Sequence, residues 1–185
     1  MPKDMPHFCQ GCALCFIKGE SFCPHQDKIT PIKTAMEKAN LIILASPVYV
    51  YHVSGQMKAF LDHFAFQFMV HRPNKTMFSK IAIVVTTAAG GGMKSTIKDM
   101  TMSLTHWGVG KILTYGKAVA ASDWQGVSND KKKKIEKDVN KLSVKILNKS
   151  KHVTPSFKVK FLFYIMRFMQ KKFAFNPTDK KYWKD

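Results

Sequence analysis

The sequence predicts an α/β domain built on a parallel sheet, and three observations predict it. NLIILAS at 40–46 and KIAIVVTT at 80–87 are continuous apolar runs, the pattern of strands covered on both faces. Each is followed by a loop and then by apolar residues at helical spacing. Strand and helix then keep alternating to about residue 150, as βαβ units do.

Taken in order, the cysteine-rich stretch 8–25 precedes a short helix, ITPIKTAMEKAN. The first strand (40–46) ends in the loop SPVYVYHVSG. From Ser54 a helix is predicted, because Met57, Phe60, Leu61, Phe64 and Phe68 recur at i, i+3, i+4, i+7 and i+11. HRPNK breaks it. The second strand (80–87) runs into a glycine loop, AAGGGM, and a helix with Ile97, Met100, Leu104 and Trp107 on one face. WGVG ends that helix, since glycine is favoured just past a helix terminus. A third strand is expected over 111–121, then the loop ASDWQGVSND, then an amphipathic helix over 129–149 with Ile135, Val139, Leu142 and Ile146 inward. This reading gives one domain, 1–150, and a basic, aromatic-rich tail, 151–185.

At 45% hydrophobic and 23% charged residues, the chain can bury a core and does not have the composition of a disordered protein. No run of about eighteen apolar residues is present to span a bilayer, and MPKDMPHF has no apolar signal core. A cytoplasmic location is the resulting expectation, and in a reducing compartment clustered cysteines favour metal or redox chemistry over disulfides. The formal charge is +18, and 17 Lys and Arg against 5 Asp and Glu fall in 128–185. Such a surface suits anionic partners, although KKKK at 131–134 also reads as a solvated helix face. SFKVKFLFYIMRFMQKKF (156–173) reads as a helix apolar over most of its circumference, with basic flanks. It could pack on the domain or a dimer mate, lie on an anionic membrane surface, or bind another partner. Nucleic-acid binding is not expected, because aromatics and lysines interleave only in this stretch.

Cys9, Cys12, Cys15 and Cys23 are the only cysteines. Their spacing, C-x2-C-x2-C-x7-C, lets closely spaced thiolates converge on one centre, and Cys23-Pro24 repeats the ending of the bacterial ferredoxin pattern. Structural zinc more often uses two separated C-x2-C knuckles, and a redox dithiol needs only two cysteines. A [4Fe–4S] cluster, a zinc site and metal-free thiols all stay open, with His25 read as a surface histidine and not a ligand. In SPVYVYHVSG, aromatics at a strand's carboxyl end could stack on a flat ring, but they serve equally as packed loop residues. TTAAGGG could bring backbone close to a ligand or simply turn from strand to helix.

Together, C-x-G-C-x-x-C, SPVY…VSGQMKAFLD and VVTTAAGGG, in this order, resemble the flavodoxin-like NAD(P)H-dependent FMN reductases, and with four cysteines their iron–sulfur flavoprotein branch. The resemblance covers roughly residues 6–147. It implies a three-layer sandwich on a five-stranded parallel sheet, order 2-1-3-4-5, with FMN at the strand ends and NAD(P)H as co-substrate. It implies flavin contacts at Ser46, Pro47, Val48, Tyr49, Val50 and Ser54, and at Thr86, Thr87, Ala88, Ala89, Gly90 and Gly91. It makes Cys9, Cys12, Cys15 and Cys23 the ligands of a [4Fe–4S] cluster.

The sequence also departs from that pattern. Asp62-His63 stands where family members usually carry Asp-Arg, and only Asp27 remains of an acidic pair after the fourth cysteine. Nothing before Cys9 resembles the family's first strand and phosphate loop, so an incomplete sheet is expected, its first two strands absent and an apolar edge at 40–46. A homo-oligomer would cover that edge. The leading expectation is a flavin-dependent oxidoreductase exchanging electrons with NAD(P)H or a ferredoxin-like carrier, with no catalytic acid or base named. The alternative is a non-catalytic metal- or thiol-containing protein whose basic tail binds nucleic acid or membrane.

Overall fold

The computed structural model describes residues 4–150, 152–173 and 176–184. Among them the sheet has three parallel strands, β1 (Leu41–Pro47), β2 (Ile81–Ala88) and β3 (Lys111–Ala118), in the order β1-β2-β3. Leu41 lies opposite Ile81, and Ile81 opposite Lys111, so the strands start and finish almost level. Alternate residues go to opposite faces. Ile42, Leu44, Ala82 and Val84 join one core with residues of α2 (Gln26–Lys38), α3 (Gly55–His63) and α4 (Met93–His106). Phe60, Phe64 and Trp107 meet at its centre, with ring centroids 4.9–5.8 Å apart. Ile81, Ile83 and Leu113 face the other way, toward Leu142 and Ile146 of α5 (Asn129–Ser150). This is the expected three-layer α/β arrangement, with a helical C-terminal extension.

The second layer is thinner than the periodicity implied. Ile135, Leu142 and Ile146 are half-buried, but Val139 is exposed, and no residue of α5 is fully buried. Between the helix and this face of all three strands lies an open trough of about 660 Å³. Ile43, in the middle of the edge strand β1, is 58% exposed.

Other boundaries move for local reasons. Phe68 does not share the helix of Met57. α3 stops at His63, Phe64 is capped by its own bond to Leu61 O (3.3 Å), and a 3-10 turn at Ala65–Gln67 redirects the chain. Phe68 then stacks on His106 at 5.0 Å. β3 ends three residues early because Val119 N and Ala120 N both turn to Ala88 O, and Ala120 adopts φ 49°.

The tail forms two helices, α6 (Phe157–Phe173) and α7 (Pro177–Lys184). α7 begins where proline is tolerated, at the first helical position, and Asn176 Oδ1 accepts from Asp179 N at 2.8 Å. Both helices pack on the domain. Phe163 meets Phe78 at 5.2 Å and Trp183 at 5.6 Å, and Trp183 Nε1 donates to His71 O at 2.6 Å. No described helix is long and apolar enough to cross a membrane.

Candidate functional site

Two sites lie at opposite ends of α3. The first is at its N-terminus, where β1 ends. Ser46 and Ser54 are both buried and both committed to the backbone: Ser54 N donates to Ser46 Oγ (3.0 Å), and Ser54 Oγ caps the helix by accepting from Met57 N (3.3 Å). Between them the loop makes a tight turn, in which Tyr49 N donates to His52 O (2.9 Å) and His52 N to Tyr49 O (3.0 Å). The two central residues, Val50 and Tyr51, have φ 48° and 64°. A β-branched residue in this left-handed region is uncommon and strained.

That strain is held from below. Val48 N donates to Thr87 O at 2.9 Å, tying the turn to β2. His52 Nδ1 donates to Asp99 Oδ2 at 2.8 Å, and Ser95 Oγ donates to Tyr51 O. Gly92 (φ 83°) lies directly under the turn, and a Cβ there would sit 2.5 Å from Val48 Cγ1 and 2.9 Å from Tyr51 Cα. The result is an exposed hydrophobic crest, with Tyr49 58%, Val50 93% and Tyr51 69% accessible.

The second strand end lies alongside. The strand runs one residue past its predicted end, so Thr86, Thr87 and Ala88 all belong to β2, with Thr86 and Ala88 buried. Thr86 Oγ1 has no hydrogen-bond partner among the described residues. Thr87, Ala89, Gly90 and Gly91 are exposed. A Cβ at Gly90 would meet nothing within 4 Å, so open space lies above the turn. Crest, exposed strand end and open glycine backbone together leave room beside them for a flat ring system.

The second site lies at the other end of α3. Gly11 (φ 67°) and Ala13 (φ 58°) coil the chain before the single-turn α1 (Leu14–Ile17). Cys9, Cys12, Cys15 and Cys23 thereby line one cavity of about 320 Å³, closed by Phe16, His25, Asp62 and His63. Cys9 and Cys12 are exposed, and Cys15 and Cys23 are half-buried. Burial, reinforced by the neighbouring Cys23, Cys9 and Cys12, pushes the Cys15 thiol up to about 11. Burial pushes the Cys23 thiol up as well. Four thiols on one cavity form a donor set for a multivalent cation, which binds thiolates, and their number matches the ligand count of a cubane.

The cavity wall holds what the sequence reading missed. His25, read as a surface histidine, is half-buried and bonded through Nδ1 to Nε2 of the buried His63 at 2.9 Å. His63 Nδ1 lies 2.7 Å from Ala59 O, which can only accept. So Nδ1 of His63 carries a proton, and its Nε2 faces His25 Nδ1. Burial first, then His63 and the stacked His7 (4.7 Å), hold His25 below its ordinary value. Ligand atoms of Cys23, His25 and His63 all lie within 4.8 Å of one another. The signal was the Asp62-His63 departure, which puts an imidazole on the face turned to the cysteines.

Residues 2–125 match the profile of a family described as NADPH-dependent FMN reductase. The chain belongs to that family. Within it, similarity lies with the iron–sulfur flavoproteins. The chain is 35% identical over 107 residues to an iron–sulfur flavoprotein of Archaeoglobus fulgidus, covering 56% of this chain and 44% of that protein. Against an iron–sulfur flavoprotein of Methanocaldococcus jannaschii it is 35% identical over 97 residues, 50% of this chain and 46% of the relative. Against one of Methanosarcina thermophila the identity is 30% over 94 residues, with 50% and 47% covered. The match thus spans about half the length of these relatives. Membership supports a flavin-dependent redox role and makes the three-stranded sheet part of a flavodoxin-like fold.

Proposed function

We propose that this chain serves a flavin-dependent oxidoreductase in which FMN binds at the β1 and β2 ends and a [4Fe–4S] cluster binds at Cys9, Cys12, Cys15 and Cys23. The observation that carries this reading is the convergence of all four cysteines of the chain on one cavity. When bound, the flavin supplies two-electron acceptance with one-electron release, and the cluster takes single electrons. The chain's own residues supply the setting. Tyr49, Val50 and Tyr51 present an apolar crest to a ring face, and Gly90 and Gly91 leave the backbone open to its polar edge. Ser46 and Ser54 act one step back, by fixing the loop that carries the crest. Around the cysteines, Phe16 and His63 close the cavity, and the His25–His63 hydrogen bond fixes its wall. NAD(P)H or a ferredoxin-like carrier would be the electron partner, drawn by the charge of +18. A homo-oligomer would cover the β1 edge.

The test is anaerobic reconstitution with iron, sulfide and FMN, followed by absorption spectra and stoichiometry. About four irons per chain, a broad absorbance that bleaches on reduction, and bound flavin that NAD(P)H reduces are the expected results. Cys23→Ser should lower iron content and leave the protein folded. Iron absent after reconstitution overturns the cluster, and flavin absent overturns the flavin site for this chain. A second reading rests on Cys23, His25 and His63, which could hold one zinc ion in a non-catalytic protein. One tightly held zinc, abolished by His63→Ala, would establish that reading instead.

A further inference from the structure

The redox reading leaves α6 unexplained. Its inner side seats it on the domain: Val159 and Gln170 are buried, and Gln170 Nε2 donates to Val70 O. Its outer side is aromatic. Phe157 (82% exposed), Phe161 (56%), Tyr164 (65%) and Phe168 (59%) recur at i, i+4, i+7 and i+11. At about 100° per residue they fall in a strip roughly 60° wide, opposite the buried side. With Ile165 and Lys160 they line one shallow apolar trough.

The helix carries no Asp or Glu. Its five basic residues flank the strip, with Lys160, Arg167 and Lys171 along one side and Lys158 and Lys172 along the other, all exposed. Lys172 Nζ reaches over the Phe168 ring at 4.7 Å. Exposed aromatics on a solvent-facing helix leave a large apolar area in water, which marks an interaction surface. Between two rows of cations, the complementary partner is apolar in the middle and anionic at the rim. A bilayer surface with anionic headgroups has that layout, and a helix of this kind lies in its plane with aromatics inserted and lysines reaching the phosphates. A second copy of the chain fits poorly, because a twofold contact would set basic rows against basic rows. A nucleic acid also fits poorly, because the strip lies on a single convex helix and Phe157 and Phe161 already stack on each other at 6.0 Å.

We infer that α6 docks the protein on an anionic lipid surface through Phe157, Phe161, Tyr164 and Phe168, held there by the flanking lysines. The inference is independent of the redox reading.

The test is co-sedimentation of the full chain with vesicles of phosphatidylcholine alone, or with one third phosphatidylglycerol, at low and high salt. Pelleting should require the anionic lipid and weaken with salt. Lys160→Gln, Lys171→Gln and Lys172→Gln together should weaken it by roughly fivefold per charge removed. Phe161→Ser, Tyr164→Ser and Phe168→Ser together should abolish it with the melting temperature held, since all three are exposed. Failure of the wild type to pellet, or equal pelleting of the aromatic variant, overturns the inference. So does a lipid-free oligomer that the aromatic variant dissociates, or an oligonucleotide that binds the same face.

Discussion

The guanidinium of Arg72 is paired with the fully buried carboxylate of Asp179, across 107 residues of sequence. The same guanidinium donates to Cys15 O and to Phe16 O (3.4 Å), and His71 Nδ1 donates to the other Asp179 oxygen at 2.7 Å. Thr178 Oγ1 adds a bond to Ile17 O at 2.5 Å. The C-terminal helix and the cysteine loop are therefore fastened to one cation.

Removing one partner of such a buried pair leaves the other charge uncompensated. Asp179→Ala should lower stability by about 3–5 kcal/mol, read as a lower denaturant midpoint. The metal-free cysteines should also react faster with iodoacetamide, Cys15 most of all. An unchanged midpoint would mean that the pair is not formed in solution.

The turn over Gly92 gives a sharper contrast. Gly92→Ala must push a Cβ into Val48 and the Tyr51 backbone at φ 83°, whereas Gly90→Ala meets nothing. The first should destabilise the protein by about 1–3 kcal/mol; the second should leave stability unchanged but weaken flavin retention, because its methyl group enters the space left for the ring. Thermal melts and flavin fluorescence titrations of the two variants decide it.

Ser54 caps α3 through Met57 N. Ser54→Ala should cost about 1 kcal/mol, and Ser54→Asp, which keeps a capping oxygen, should recover most of it in the same denaturation assay.

Acid stability depends partly on His106. Burial, with Lys158 nearby, holds its imidazole below the ordinary 6.5. As the pH falls below 6.5, the unfolded chain takes up a proton that the folded chain still refuses. The histidine's contribution is therefore present above that value and is lost as the pH falls through the folded-state value. His106→Gln should flatten the acid limb of a stability-against-pH curve, and a limb of unchanged slope would exclude His106 as its source.

Much of the architecture was legible because it is periodic. The apolar runs at 40–46 and 80–87 are β1 and β2 to within one residue at each end, and Met100, Leu104 and Trp107 are fully buried as their spacing required. The cysteine spacing also announced a shared centre. Arg72–Asp179 and His25–His63 were not legible, since partners 107 and 38 residues apart leave no local pattern. The backbone bonds of Ser46 and Ser54 were not legible either: each hydroxyl oxygen accepts from a main-chain N–H of its own loop. Val139 reads as core by period alone, but it lines the open trough between α5 and the sheet.

Helix α3 has one more consequence. It carries the strand-end turn at Ser54 and the cavity wall at His63, nine residues later. A rod of nine residues spans about 13 Å and turns about 100° with every residue. Inserting or deleting one residue within it would change that spacing only slightly, but it would swing His63 away from His25 and the cysteines while Ser54 stayed in place. The two sites are indexed to each other by rotation, so α3 cannot vary in length by single steps, whereas the irregular chain at 68–80 can absorb such changes.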